Sequence, residues 1–321
     1  MNPTFQTLAW LNNEALAFPP YVAAFDELET TLRLYRESGI AQFLWIAGET
    51  GSGKTTLCKS FVAKYPRSAL PERDVIPVLY VPVPTPATLG GVADAILTAL
   101  GDPAPSQGRQ PEKDRRIVKL VRGCSVEMII FDEAQHLQER GQHYTQYKAA
   151  DWLKVQLDAL TIPAAFVGLP NFAELLQVNP QLRRRFSRRR DLQFCGDQHG
   201  DIHTACLQMY VSLGSTTKLG LSCAPYTWDE LGARLYRACD GRVGYIKKLL
   251  LAALRIAMQS DSKSIDASIL EAAFTEEVWQ EGIAALNPFH ADFEFRRLDR
   301  MNEPFQSAHA RLHSAAHRRA G

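Results

Sequence analysis

Eight consecutive residues, Gly48-Glu49-Thr50-Gly51-Ser52-Gly53-Lys54-Thr55, place glycines, a lysine and hydroxyls in the spacing G-x-x-x-x-G-K-[ST]. Glycines let a backbone curl until successive N–H groups point inward, a concavity that binds phosphate oxygens. Lys54 then meets the outer phosphates of a nucleoside triphosphate, and Thr55 ligates Mg²⁺. The apolar run Phe43–Ala47 precedes the loop, and helical periodicity follows it, with Thr56 in the first turn. Both flanks are what the chemistry requires, because a helix N-terminus adds its dipole to the attraction for an anion. An ordinary glycine turn needs neither flank. The expected binding set is Gly48, Thr50, Gly51, Ser52, Gly53, Lys54, Thr55 and Thr56, with ATP and Mg²⁺ as ligands.

A second constellation is Met128-Ile129-Ile130-Phe131-Asp132-Glu133, an apolar strand ending in two carboxylates. Buried strands deliver such groups to the crevice at the carboxyl edge of a parallel sheet. There Asp132 can hold Mg²⁺, and Glu133 can orient and deprotonate the attacking water. An acidic pair after a strand is common by itself. It gains weight from the phosphate loop upstream.

These groups need a scaffold that brings strand ends together. Short apolar runs at 43–47, 78–82, 126–131, 164–167 and 191–194 alternate with helical stretches such as 55–64 and 92–100, after an amphipathic helix at 23–37. The alternation predicts an α/β fold, a parallel P-loop sheet covered on both faces. Beyond residue 197 the strand signals stop, and helical patterns near 201–213, 227–239, 243–258 and 266–285 predict a C-terminal helical domain. The expected organisation is an N-terminal extension at 1–19, a P-loop core at 20–196, a helical lid at 197–286 and a tail at 287–321. The Gly- and Pro-rich stretch 101–111 predicts an exposed loop.

Lys plus Arg number 36 against 35 Asp plus Glu, so bulk charge favours no polyanion partner, and any nucleic-acid surface must be a local cluster. The six cysteines show no C-x-x-C pair or metal-ligand spacing, which predicts reduced thiols in a cytoplasmic protein. No basic-then-apolar leader and no membrane-length apolar run is read.

The stretch Asp132-Glu133-Ala134-Gln135-His136-Leu137 resembles the DEAQH signature of the TniB, TnsC and MuB-like AAA+ regulators of DNA transposition, and of ExeA-type ATPases. Further matches follow in order at 162–171, at 179–186 and at 241–246, and the likeness covers about residues 18–285. The resemblance implies an AAA+ ATPase with a helical lid. It also implies sequence-independent binding of double-stranded DNA, assembly as a ring or helical filament, and dealings with a transposase and a target-selection protein of the TniQ/TnsD type. By position, Asn171 would be the sensor 1 polar group, Arg184 or Arg185 an arginine finger reaching a neighbouring subunit, Arg242 the sensor 2 residue, and Tyr21 with Phe18 part of the adenine pocket. Each has a plainer alternative as a turn residue, a solvated cation or a core ring. An ExeA-like energy transducer and a nucleotide-gated scaffold with negligible turnover remain the rival functions.

No zinc finger or helix-turn-helix pattern is present to read bases. The densest basic run is Lys113, Arg115, Arg116, Lys119 and Arg122, on the helical stretch before the strand that ends in Asp132. Spacings of three and four put Arg115, Lys119 and Arg122 on one face. The run reads either as a DNA-backbone surface or as an ordinary solvated face.

Overall fold

The computed structural model describes residues 18–71, 73–137, 143–178, 180–192, 199–217 and 219–306. The chain forms two compact units, residues 20–192 and residues 193–321 with 1–19. Most of the expected N-terminal extension and the end of the tail lie outside the described residues.

The first unit is built on five strands: β1 Phe43–Ala47, β2 Val78–Pro82, β3 Met128–Asp132, β4 Ala164–Gly168 and β5 Arg188–Asp191, in the order β2-β3-β4-β1-β5. Every pairing is parallel. β3 and β4 are buried along their whole length, which is why they read as unbroken apolar runs. Helices α1 Pro19–Ser38, α2 Lys54–Lys64, α3 Leu89–Leu100, α4 Gln110–Gly123, α5 His143–Leu160, α6 Ala173–Val178 and α7 Pro180–Arg185 accompany the sheet. The order sets β3, β4 and β1 side by side, so the segments following these strands share one edge. That edge is where a parallel sheet collects its ligand-binding groups.

Aromatic packing holds the middle of the sheet. The Phe166 ring on β4 stacks on Phe131 of β3 at 4.8 Å and on Phe172 at 5.5 Å, and meets Phe186 edge-on at 4.7 Å. Such pairs add to the stabilisation that burial alone provides.

The edge strand begins three residues before the apolar run 191–194 that predicts it, and residues 193–194 lie outside the described residues. β5 is the charged stretch Arg188-Arg189-Arg190-Asp191. Strand position is decided here by partners: Arg188 and Arg190 both pair with Glu27 of α1, and the Arg189 guanidinium lies 4.5 Å from the centre of the Trp45 ring. A charged edge also resists pairing with a further strand.

In the second unit, α8 His199–Thr217, α9 Trp228–Cys239, α10 Val243–Gln259 and α11 Ala267–Glu277 enclose a core including Tyr210, Leu235, Leu249, Leu250 and Phe274. α11 stops short of the predicted residue 285, because the amides of Val278 and Trp279 both close onto the Phe274 carbonyl. Residues 287–306 then run along this unit and bury Phe289, Phe293, Leu298 and Phe305. Cys58, Cys124, Cys206, Cys223 and Cys239 are free thiols. Among the described residues, no helix is long and apolar enough to cross a membrane.

Removing the ring that joins β3 to β4 tests this account of the core. Phe166→Ala is expected to lower unfolding stability by about 3–5 kcal/mol in urea titrations. A loss below about 1 kcal/mol would remove the cluster from that role.

Candidate nucleotide site

The loop after β1 turns because Gly51 (φ 83°) and Gly53 (φ 90°) adopt left-handed backbone that a side chain disfavours. Gly53 caps α2 without a side-chain hydrogen bond, so the first amides of the helix carry no side-chain acceptor from their cap. They border a cavity of about 270 Å³ lined by Thr50, Gly51, Gly53, Lys54, Thr55, Thr56, Glu133, Gln135 and Leu169. Backbone amides, a helix N-terminus and a lysine around one space form a phosphate-binding arrangement. Gly48 and Ser52 stand behind this lining. The Gly48 amide donates to the Gly168 carbonyl at 3.0 Å, and Ser52 is buried.

Lys54 is buried, and its ammonium donates to the carbonyls of Gly48 at 2.9 Å and Glu49 at 3.2 Å. Burial lowers its pKa, and the carboxylates of Glu133, Asp132 and Glu49 oppose that shift.

Asp132 is 1% exposed and fully engaged. Its Oδ2 accepts from Thr55 Oγ1 at 2.8 Å and from the Tyr80 hydroxyl at 2.9 Å, while Oδ1 accepts from the Glu133 amide at 2.9 Å. Burial raises the Tyr80 hydroxyl pKa, and the Asp132 charge adds to the effect, so Tyr80 stays a donor. Glu133, next along, sits in left-handed backbone at φ 55°, a conformation that non-glycine residues hold only where the surroundings impose it. It lines the cavity and accepts a hydrogen bond from the Gln135 side-chain amide.

The donor set fits Mg²⁺. A hydroxyl and a carboxylate oxygen, both hard ligands, meet at the wall of the phosphate cavity. Among the described residues no group of three or more His, Cys, Asp or Glu side chains could hold a metal ion alone. Mg²⁺ characteristically takes one or two protein oxygens and completes its shell with substrate phosphates and water.

The remaining expected residues are distributed more widely. Asn171 lies in the short turn Pro170–Phe172 after β4, its Oδ1 shielded from solvent and without a hydrogen-bond partner among the described residues. Tyr21 is buried on α1, where its ring stacks on Phe25 at 6.4 Å. On α7, Arg183 and Arg184 are exposed and make no ion pair with a described residue, whereas Arg185 pairs with Asp158 and lies over the Phe43 ring. Arg242 belongs to the second unit. It is buried there, donating to Asp240 at 3.2 Å and to the Phe305 carbonyl at 3.3 Å.

On α4 the basic run divides. Lys113 is buried against Asp94 at 2.6 Å. Arg116 binds the carbonyls of Ala104, Pro105 and Gln107, pinning the loop ahead of the helix. Arg115, Lys119 and Arg122 are exposed.

Residue type and spacing do not single out Tyr80 and Gln135 as site residues. Tyr80 sits in an apolar strand, where a tyrosine reads as packing. Only the pairing of β2 with β3, which sets Pro82 beside Asp132, turns its hydroxyl to the carboxylate. Gln135 stands in view within the DEAQH motif, but its partners are revealed only by the fold.

A family model described as bacterial TniB protein matches residues 8–194. No curated protein matches the chain. Among solved structures, the chain is similar to the ORC1 protein of Aeropyrum pernix in complex with DNA, at 18% identity and TM-score 0.59 over 82% of this chain and 66% of that one. It is also similar to Cdc6p of Pyrobaculum aerophilum, at 15% identity and TM-score 0.58 over 84% and 69% of the two chains. The ADPNP-ADP complexes of Aeropyrum pernix ORC2 match at 17% identity and TM-score 0.54 over 79% and 68%. The chain thus spans about two thirds of the length of these structures. At such identities the likeness establishes the fold, the AAA+ arrangement expected from the motifs.

Lys54→Ala removes the one cation in the lining of the phosphate cavity and should weaken ATP binding by at least about 100-fold, the scale of removing a charge-assisted hydrogen bond from a partly buried site. Unchanged affinity in fluorescent-nucleotide titrations would displace the site.

Proposed function

The chain belongs to the bacterial TniB protein family, and from that premise we propose that it is an Mg²⁺-dependent ATPase that regulates DNA transposition. In this reading it works in the cytoplasm as a homo-oligomer, a ring or helical filament on double-stranded DNA. ATP promotes assembly, and the assembly recruits or activates a transposase at a site chosen with a target-selection protein of the TniQ/TnsD type. Hydrolysis then clears it. The observation that carries the proposal is the cavity shared by Lys54, Thr55 and Glu133 with Asp132 behind it, a phosphate cradle with a carboxylate facing it.

Each residue has a task in hydrolysis. The loop amides and Lys54 hold the triphosphate. Thr55 and Asp132 would hold Mg²⁺, which when bound neutralises charge on the phosphate oxygens. Glu133 orients the attacking water and takes its proton. Asn171 acts as a second polar contact for the water or outer phosphate, Tyr21 borders the adenine, and Arg242 is the sensor 2 residue. Arg184, exposed and uncompensated, is the favoured finger for a neighbour's site, ahead of Arg185, which already has a carboxylate partner.

For DNA, the proposed surface is Arg115, Lys119 and Arg122, with Lys113 and Arg116 fastening the helix that displays them. Three exposed cations at helical spacing suit backbone contacts, which need no base-reading element. The DNA complex of the similar ORC1 protein supports the assignment to this fold.

Replacing Arg115, Lys119 and Arg122 with Ala should weaken DNA binding evenly across sequences. The slope of log affinity against log salt should flatten by roughly 0.9 for each phosphate that the variant no longer neutralises. A slope equal to that of the wild type would return this face to solvent.

Glu133→Gln separates assembly from hydrolysis, since it keeps the side chain's shape but abolishes its basicity. ATP is then held unconsumed, and a ligand that favours the assembled state shifts the population toward it. Complexes with DNA should outlast those of the wild type after an ADP chase, followed by light scattering. Equal lifetimes would mean that hydrolysis does not drive disassembly.

A further inference from the structure

Gln135 is 3% exposed, and both ends of its side-chain amide are in use. Its Oε1 accepts from the Leu169 amide at 3.0 Å, at the end of β4. A backbone N–H can only donate, so this contact fixes which end of the amide is oxygen and turns the NH₂ group the other way. That group donates to Glu133 Oε2. The end of β4 is shaped around the contact. A Cβ at Gly168 would stand 2.6 Å from Gln135 Oε1 and 3.1 Å from the amides of Ala134 and Gln135, so glycine is what allows this approach. The Gly168 carbonyl in turn accepts from Gly48, whose own carbonyl receives Lys54 Nζ. One hydrogen-bonded chain therefore runs from Lys54 through Gly48, the Gly168–Leu169 peptide and Gln135 to Glu133.

We propose that Gln135 is the positioning residue for Glu133: its amide anchors the general-base carboxylate to the end of β4, so that carboxylate, phosphate loop and β4 are set by one connected network. The proposal rests on the reading of Glu133 as the base, and it adds a residue of the same cavity wall that acts through Glu133. Its chemistry is specific. The anchor must be a neutral group that accepts from Leu169 and donates to Glu133 in the same orientation. Among the standard side chains of this length only glutamine meets both needs at neutral pH.

Gln135→Glu is the discriminating variant. It is nearly the same size and retains an acceptor for Leu169, but its ionised form has no proton for Glu133. Single-turnover hydrolysis at saturating ATP, ATP affinity and thermal melting would be compared for wild type, Gln135→Glu, Gln135→Ala and Glu133→Gln. Gln135→Glu is expected to melt near the wild-type temperature and, with the site filled, to hydrolyse ATP ~10-fold or more slowly, a part of the 10²–10⁴ that a well-placed general base contributes. Because residue 135 lines the cavity, affinity is read separately from the rate. Gln135→Ala, which lacks both arms, should be slow as well.

A Gln135→Glu rate equal to that of the wild type at saturating ATP would overturn the proposal. So would a loss of ATP binding and melting temperature that accounts for the whole effect, since Gln135 would then be packing only. The reading of Glu133 as the base has its own control: Glu133→Gln hydrolysing at the wild-type rate would dismiss the base itself, whatever the position-135 variants do.

Discussion

A buried carboxylate is the constraint around which the site is organised. Asp132 lies at 1% exposure, where an ionised group short of partners costs several kcal/mol. Its three hydrogen bonds come from three directions: Thr55 from the first turn of α2, Tyr80 from the neighbouring strand and the amide of Glu133 from its own chain. Satisfying this one charge joins the phosphate loop to β3 and β2. It also helps impose the turn that places Glu133 in left-handed backbone beside the cavity. Stability and the proposed chemistry are thus requirements on the same side chain, because the carboxylate that holds Thr55 is the one proposed to hold Mg²⁺.

Strand order does the rest. With β4 between β3 and β1, the segment Gly168–Leu169 touches both the phosphate loop and the residues following Asp132. A sheet in chain order would keep β4 beside β3 but put two strands between β4 and β1, whose end begins the phosphate loop. The parallel arrangement gathers them at one edge without asking any side chain to reach far.

The legible part of this in the sequence was the local part. The loop 48–55 and the pair Asp132-Glu133 are contiguous, and their chemistry is written in residue type and spacing. The strands 43–47 and 78–82 were legible because their apolar runs have few competing uses. What could not be read depends on partners far along the chain. The charged residues 188–190 join the edge strand because Glu27, more than 160 residues away, neutralises Arg188 and Arg190. The roles of Tyr80 and Gln135 are hidden from residue type and spacing for the same reason, since their partners lie across strands. On α4, five cations in a row read alike until Asp94 and the carbonyls of the preceding loop engage two of them.

That sorting of cations carries an argument that composition cannot. A net charge of +1 describes a nearly neutral chain, yet neutrality is achieved unevenly. Of the six arginines between 183 and 190, Arg185, Arg188, Arg189 and Arg190 have carboxylate partners within the unit. Arg183 and Arg184 are exposed beside them and have none among the described residues. A guanidinium already paired with a carboxylate must lose that partner before it can stabilise charge elsewhere, and part of its effect is cancelled at home. One that stands uncompensated keeps its whole field for whatever approaches. The same distinction separates Arg115, Lys119 and Arg122 from Lys113 and Arg116. In both places some cations are paired inside the unit, and the cations without a carboxylate partner among the described residues are those the proposed partner surfaces would use.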